Sequence, residues 1–282
     1  MPKTIVTHQN PDQDAIMSTW LLVRFDQSRY GDAKLEFVPG STTYKNQPVD
    51  SDSDIVHVDV GFGKYDHHQE GAYGTCASEL VWRELISQGL VSPSDEALKA
   101  MIEHAKAIDL FEDREWPEAK LSRFAFSLSE IIPALHRLQI YDDEAVVRMV
   151  MAQLDGVYQK LKGWFRAKEE IEAGVEFESR WGKGVAISSG ADDAHKVAQR
   201  MGYQIVVVGD SETGYLGIKI SPGVSEKLDL LYDKISELDG PEKWFYHNSG
   251  QMLLHGSDKG RKPTPTSLTV SQVLEIIKEL ST

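Results

Sequence analysis

Two short segments in the first quarter of the chain bring together three histidines and four aspartates. The first, Thr7-His8-Gln9-Asn10-Pro11-Asp12-Gln13-Asp14, holds His8, Asp12 and Asp14. The second runs from Val58 to His68 and holds Asp59, Asp66, His67 and His68. Imidazole and carboxylate are the side chains that ligate divalent cations such as Mn, Zn and Mg. Enough of them in one place suggests a two-metal site, and such sites act on phosphate esters. Each segment also has a plainer reading. Asp12 and Asp14 suit the entry to a helix, where acidic groups complement the dipole. Asp59 could be an exposed strand end, and the histidine pair could be surface or core packing. An unpaired carboxylate at the end of an apolar strand is costly, however. Asp66 suits an orienting partner for an imidazole. In an extended backbone His67 and His68 point in different directions, which predicts different tasks for them.

The elements that must position these groups can be read from hydropathy. Lys3 to Thr7 reads as a strand, Asp14 to Phe25 as a helix with an apolar stripe, Leu35 to Pro39 as a second strand and Asp54 to Val60 as a third, ended by Gly61 and Gly63. Ala77 to Leu90 and Pro93 to Phe111 read as helices. Strands alternating with helices predict an α/β fold whose N-terminal sheet is mostly parallel and flanked by helices. In such sheets ligands gather at the carboxyl ends of the strands, where His8, Asp12 and Asp59 fall. Tyr141 to Glu172 reads as one long helix. Beyond it come strands at 175–177, 184–187, 203–208 and 215–220, with 209–214 as a hairpin turn, and helices at 195–201, 224–238 and 271–280. The expected organisation is a metal-binding catalytic domain at 1–140, a helical connector at 141–173 and a smaller α+β substrate-binding domain at 174–282.

Composition narrows the function class. Hydrophobic content of 41% and charged content of 26% suit a globular protein, and no apolar run is long enough for a membrane span. The opening Met1 to Val6 lacks a long apolar region, which predicts no secretory signal. Cys76 is the only cysteine, so no intrachain disulfide forms and a reducing cytoplasm is expected. A net charge of −14 opposes binding of long duplexes. It is compatible with a short phosphorylated substrate held by cations and a local basic patch, and with a homo-oligomer.

Taken jointly, His8-x-x-x-Asp12-x-Asp14, Asp59 near the end of a strand, and Asp66-His67-His68 resemble the DHH phosphoesterase superfamily, which includes RecJ-type exonucleases, oligoribonucleases and family II pyrophosphatases. Thr75 to Leu80 is similar to the stretch that opens the next helix there. The wording around Val58 to Gly61 and Tyr65 to Gln69, and Trp244 to Gly250, is similar to the Myg branch. The resemblance implies two divalent metal ions, usually Mn, with Mg or Co as alternatives. It implies that His8 and Asp12 hold one ion, that Asp14, His67 and Asp109 hold the other, and that Asp59 bridges both. It further implies that His68 contacts the scissile phosphate and that a water bridging the ions attacks it. The expected activity is that of a phosphodiesterase or exonuclease on short oligonucleotides or nucleotides. A phosphomonoesterase, a pyrophosphatase or a non-catalytic metal- or nucleotide-binding module is the alternative. The Gly-Gly-Gly-His-like loop of many family members is absent. In its place stand His247, Ser249 and Gly250, then a basic stretch with Lys259, Arg261 and Lys262, which is expected to grip phosphate or to be a solvated turn. Trp244 is the best candidate for base stacking, with core packing the competing reading; His104, His136 and His195 read as ordinary.

Overall fold

Ile5, Val6 and Thr7 are buried, as the middle strand of a parallel sheet requires. In the computed structural model they lie in β1 (Thr4–His8). This strand is followed by α1 (Gln13–Phe25), α2 (Gln27–Tyr30), β2 (Lys34–Val38) and β3 (Ile55–His57). The three strands pair in parallel in the order β2-β1-β3, with Val6 opposite Glu36 on one side and His57 on the other. Then come α3 (Ala77–Ser87), α4 (Glu96–Asp109), α5 (Leu128–Leu138) and α6 (Asp143–Glu172). The structure describes residues 2–69, 73–191, 193–210, 212–255 and 266–281. The chain divides into two units, Met1–Leu161 and Lys162–Thr282, and the division falls within α6.

In the first unit α1 is the keystone. Every residue from Gln13 to Leu22 is buried, and the helix packs on α3, α4 and α5. Fully burying a side chain such as Ile16, Leu21 or Trp20 is worth about 1.5–3 kcal/mol, so this helix is strongly held. Asp12 caps it, accepting hydrogen bonds from the backbone N–H of Asp14 at 3.0 Å and Ala15 at 3.1 Å.

The third strand is shorter than its apolar run predicts. The ladder stops at His57, and Asp59 stands two residues past it with φ +55°. Asp59 therefore does not close a strand. The chain turns because Gly61 has φ +82° and because a side chain at Gly63 would run into Val49 and Asp50. α5 has no counterpart among the expected elements; Pro133 sits inside it and only Ile132 is fully covered.

The second unit contains β4 (Val175–Ser179), β5 (Gly182–Ser188), α7 (Ala194–Arg200), β6 (Ile205–Asp210), β7 (Tyr215–Ile220), α8 (Asp229–Asp239), β8 (Phe245–Tyr246), β9 (Met252–His255) and α9 (Val270–Glu279). Its mixed sheet has the order β4-β5-β6-β7-β9-β8, with β5 and β6 parallel and the other neighbours antiparallel. Ile205 and Val207 pack with Leu231, Ile235, Val273 and Ile277, while Val206 and Val208 pack with Ile171, Ala194 and Val197. Both faces of β6 are thus covered, which explains its unbroken apolar run. Among the described residues no helix is long and apolar enough to cross a membrane.

Candidate metal centre

Four pieces of backbone converge on one cluster in the first unit. β1 ends in His8, the cap and first turn of α1 supply Asp12 and Asp14, the turn after β3 supplies Asp59, Asp66, His67 and His68, and α4 ends in Asp109. Donor atoms of His8, Asp12 and Asp59 lie within 4.8 Å of one another, as do those of Asp14, His67 and Asp109, and those of Asp59, Asp66, His67 and His68.

Asp59 sits between the two sets. Its Oδ2 is 3.5 Å from His8 Nε2, and its Oδ1 is 3.4 Å from His67 Nδ1. His67 Nδ1 is also 3.8 Å from Asp14 Oδ2, and its Nε2 is 3.1 Å from Asp109 Oδ2. Asp12 Oδ1 is 4.0 Å from His8 Nε2, so the carboxylate that caps α1 also faces the first histidine. The helix-entry reading and the ligand reading of Asp12 are both compatible with this geometry. Asp14 has a second duty too: its oxygens accept from the backbone N–H groups of Ala77 at 2.6 Å and Ser78 at 3.0 Å, tying α1 to the start of α3.

The expectation that His67 and His68 diverge is corrected. The pair lies outside any strand, and the two rings lie 4.1 Å apart at 34°. Their surroundings still differ. The His67 side chain is 12% exposed among three carboxylates, whereas that of His68 is 56% exposed. His68 Nδ1 donates to Asp66 Oδ1 at 2.8 Å, and Asp66 Oδ2 accepts from the N–H of Phe62 at 2.6 Å. Burial raises the Asp66 carboxyl, but the donors from His68 and Phe62 outweigh it and hold the group below its ordinary value.

The electrostatics are those of an acidic cage. Burial and the neighbouring Asp59 charge push Asp14 up to about 7. Burial pulls His8 and His67 down, but Asp59 beside the one and Asp109 beside the other lift both to about 9. Protonated imidazoles are then the cations that offset the carboxylates. Even so, Asp59 Oδ1, His67 Nδ1 and Asp109 Oδ2 are buried without a hydrogen-bond partner. Buried polar atoms are rarely left so, and carboxylate and imidazole donors aimed at one another are satisfied by cations between them. The residues fit divalent metal ions.

The cluster opens into a cavity of about 790 Å³. Sequence reasoning missed part of its wall. Phe111 lies just past α4, and His136 and Arg137 come from α5. His136 Nε2 donates to the carbonyl of Pro11 at 3.0 Å and its Nδ1 is 3.4 Å from Asp143 Oδ1, while Asp143 Oδ2 accepts from the N–H of Asn10 at 3.2 Å. The loop that carries Asp12 is thus pinned by residues more than 120 positions away. No local sequence signal marks such a contact.

The other expected residues lie in the second unit. His247, Ser249 and Gly250 form the turn between β8 and β9: His247 Nδ1 is 2.8 Å from Ser249 Oγ, Gly250 N–H donates to the His247 carbonyl at 2.8 Å, and Gly250 has φ +71°. Lys259, Arg261 and Lys262 lie outside the described residues. Trp244 is buried, and its Nε1 donates to Asp239, so it is a core residue and not a stacking platform. Cys76 is buried and its thiol is pushed up, first by burial, which leaves it no nucleophilic character.

No protein-family model matches the chain, and no curated protein matches it. Solved structures do. A DHH domain described as a member of the s1p family of ribosomal proteins aligns over 98% of this chain and 86% of its own, at 9% identity and a TM-score of 0.32. RecJ of Thermus thermophilus in complex with Mn2+ aligns over 99% of this chain and 57% of its own, at 14% identity and a TM-score of 0.29. An exopolyphosphatase-related protein of Bacteroides fragilis aligns over 99% of this chain and 91% of its own, at 13% identity and a TM-score of 0.26. At TM-scores of 0.32 and below these likenesses carry no argument about what the chain does.

Proposed function

We propose that the chain is a metal-dependent phosphohydrolase, acting as a phosphodiesterase or exonuclease on short oligonucleotides or nucleotides. The observation that carries this is Asp59, a buried carboxylate whose two oxygens face histidines of two different donor sets. That is the arrangement of a ligand shared by two cations. His8 and Asp12 would hold one ion, and Asp14, His67 and Asp109 the other, Mn being the expected metal. Bound there, the ions supply Lewis acidity, lowering the pKa of water and stabilising the attacking and leaving oxygens.

The chain's own residues do the rest. The backbone N–H groups of Ala77 and Ser78 fix the Asp14 carboxylate, so its remaining lone pairs are presented in one orientation. Asp66 holds Nδ1 of the exposed His68. This leaves Nε2 as the ring atom that would meet a non-bridging phosphate oxygen. The −14 net charge keeps long polyanions away and is offset locally only where cations sit.

The test is turnover of an aryl phosphodiester by the purified chain with Mn, Mg or Co. Hydrolysis that a chelator abolishes and Mn restores is expected. Failure with all three ions would point instead to a metal- or nucleotide-binding module.

A further inference from the structure

The wall of the cavity is not polar throughout. Ile108, Leu110, Phe111, Ile132 and Pro133 line it alongside the donor cluster. Phe111 is the unusual one. It is two residues past Asp109, so no more than about 7 Å of backbone separates them. Its φ is +61°, a left-handed conformation that bulky residues avoid. Its side chain is nevertheless 60% exposed, so little core packing compensates for the backbone strain.

A second cavity, of about 470 Å³, shares Ile108, Phe111 and Ser129 with the first and adds Arg114. The Arg114 guanidinium carbon stands 4.2 Å from the centroid of the Phe111 ring. Phe111 therefore belongs to the wall common to both cavities, while Arg114 lines the smaller one alone. A cation against the ring holds it in place, and Arg114 takes no part in the wall of the larger cavity.

We infer that Phe111 is a stacking platform for a nucleobase of the substrate. The inference rests on the phosphohydrolase reading for the fate of the phosphate, and deepens it by naming the residue that would recognise the base-bearing part of the substrate. An aromatic ring and aliphatic neighbours offer nothing to inorganic pyrophosphate or polyphosphate, which have no apolar surface to bury. They suit a phosphate ester that carries a planar base, because every base has a π-face and stacking tolerates any sequence.

The experiment compares two ligands on the full chain with Mn2+ present: a dinucleotide with a hydrolysis-resistant phosphorothioate linkage, and its abasic counterpart. Calorimetric titration of the unaltered chain should favour the base-bearing ligand about 5- to 150-fold. The preference should vanish in Phe111→Ala and persist in Phe111→Tyr. Phe111→Gly covers the case in which the alanine variant folds poorly, because glycine tolerates the positive φ; it should raise the melting temperature and lose the preference together. Equal binding of both ligands by the unaltered chain, binding of neither, or a preference that survives in Phe111→Ala or Phe111→Gly overturns the inference. Turnover of the ordinary dinucleotide is followed separately. Base preference without turnover sinks the hydrolase reading and leaves the platform standing; turnover without base preference sinks the platform alone.

Discussion

At the scale of single residues, burial has opposite consequences depending on what surrounds the buried group. Asp59 is buried beside two imidazoles and near other carboxylates. Asp59→Asn keeps the shape and removes one negative charge. Metal-dependent turnover should fall by about 10²–10³-fold, the scale lost when one group that stabilises developing charge is taken out. Without metal, relief of the like charge beside Asp14 is opposed by loss of the carboxylate beside His8 and His67, so the melting temperature should change little. The melting shift caused by Mn should shrink as well. Full turnover in the variant, measured on an aryl phosphodiester, would refute the shared-ligand assignment. His195 in the second unit is the contrasting case. It is buried on α7 with Nε2 3.2 Å from the Tyr215 hydroxyl, and burial, then the Lys219 charge, hold its pKa well below 6.5. The fold therefore keeps it neutral, while the unfolded chain takes up a proton near pH 6.5. Its stabilising contribution is present above that value and is lost as pH falls below it, by up to about 1.4 kcal/mol per pH unit. His195→Gln cannot be protonated, so its urea midpoint should fall less than that of the unaltered chain between pH 7.5 and 5.5. Parallel profiles for the two proteins would show that His195 is not the group responsible.

At the scale of elements, the loop between β1 and α1 is held from afar. His136 on α5 holds Pro11, and Asp143 at the start of α6 holds Asn10. Groups that orient ligands without touching the metal typically change affinity 10- to 100-fold when removed. His136→Ala should weaken Mn binding by about 10-fold in a calorimetric titration, although His136 is not itself among the proposed ligands. Unchanged affinity would mean that the α1 cap alone fixes Asp12. The same contact shows what can and cannot be read from a sequence. β1, α1, α3, α4 and β6 are legible because each buries a continuous or periodic apolar face. The His and Asp motifs are legible because charged groups stand beside apolar runs and share a chemistry. α5 is not, since Pro133 interrupts it and Ile132 is its one fully buried residue. β8 has only two residues, too few for a period to show. Asp59 reads as a strand residue because Val58 and Val60 continue the apolar pattern, whereas its positive φ is set by the turn that Gly61 and Gly63 allow. Phe111 gains its place from a left-handed backbone just past α4, and His136 from a contact distant in sequence, neither of which a hydropathy pattern encodes.

At the scale of the whole molecule, every proposed ligand lies between His8 and Asp109, inside the first unit. The second unit has its own two apolar clusters on the faces of its mixed sheet. Cations that bind only the folded cluster stabilise the segments that build it, by about 2.7 kcal/mol at a hundred times the dissociation constant. That is close to a hundredfold slowing for amides that exchange only when those segments open. Hydrogen exchange with and without Mn should therefore show slowing in peptides from β1, α1, α3 and α4. Peptides from β5, β6 and β7 should exchange unchanged, since their protection comes from Val206, Val207 and Ile218 and not from the ligands. α6 is continuous across the division at Leu161, so its amides report on both units and cannot discriminate. Slowing confined to the second unit would place the cation away from the aspartate and histidine cage. Equal slowing throughout would mean that the units unfold as one, and that the cage stabilises the chain as a single cooperative body.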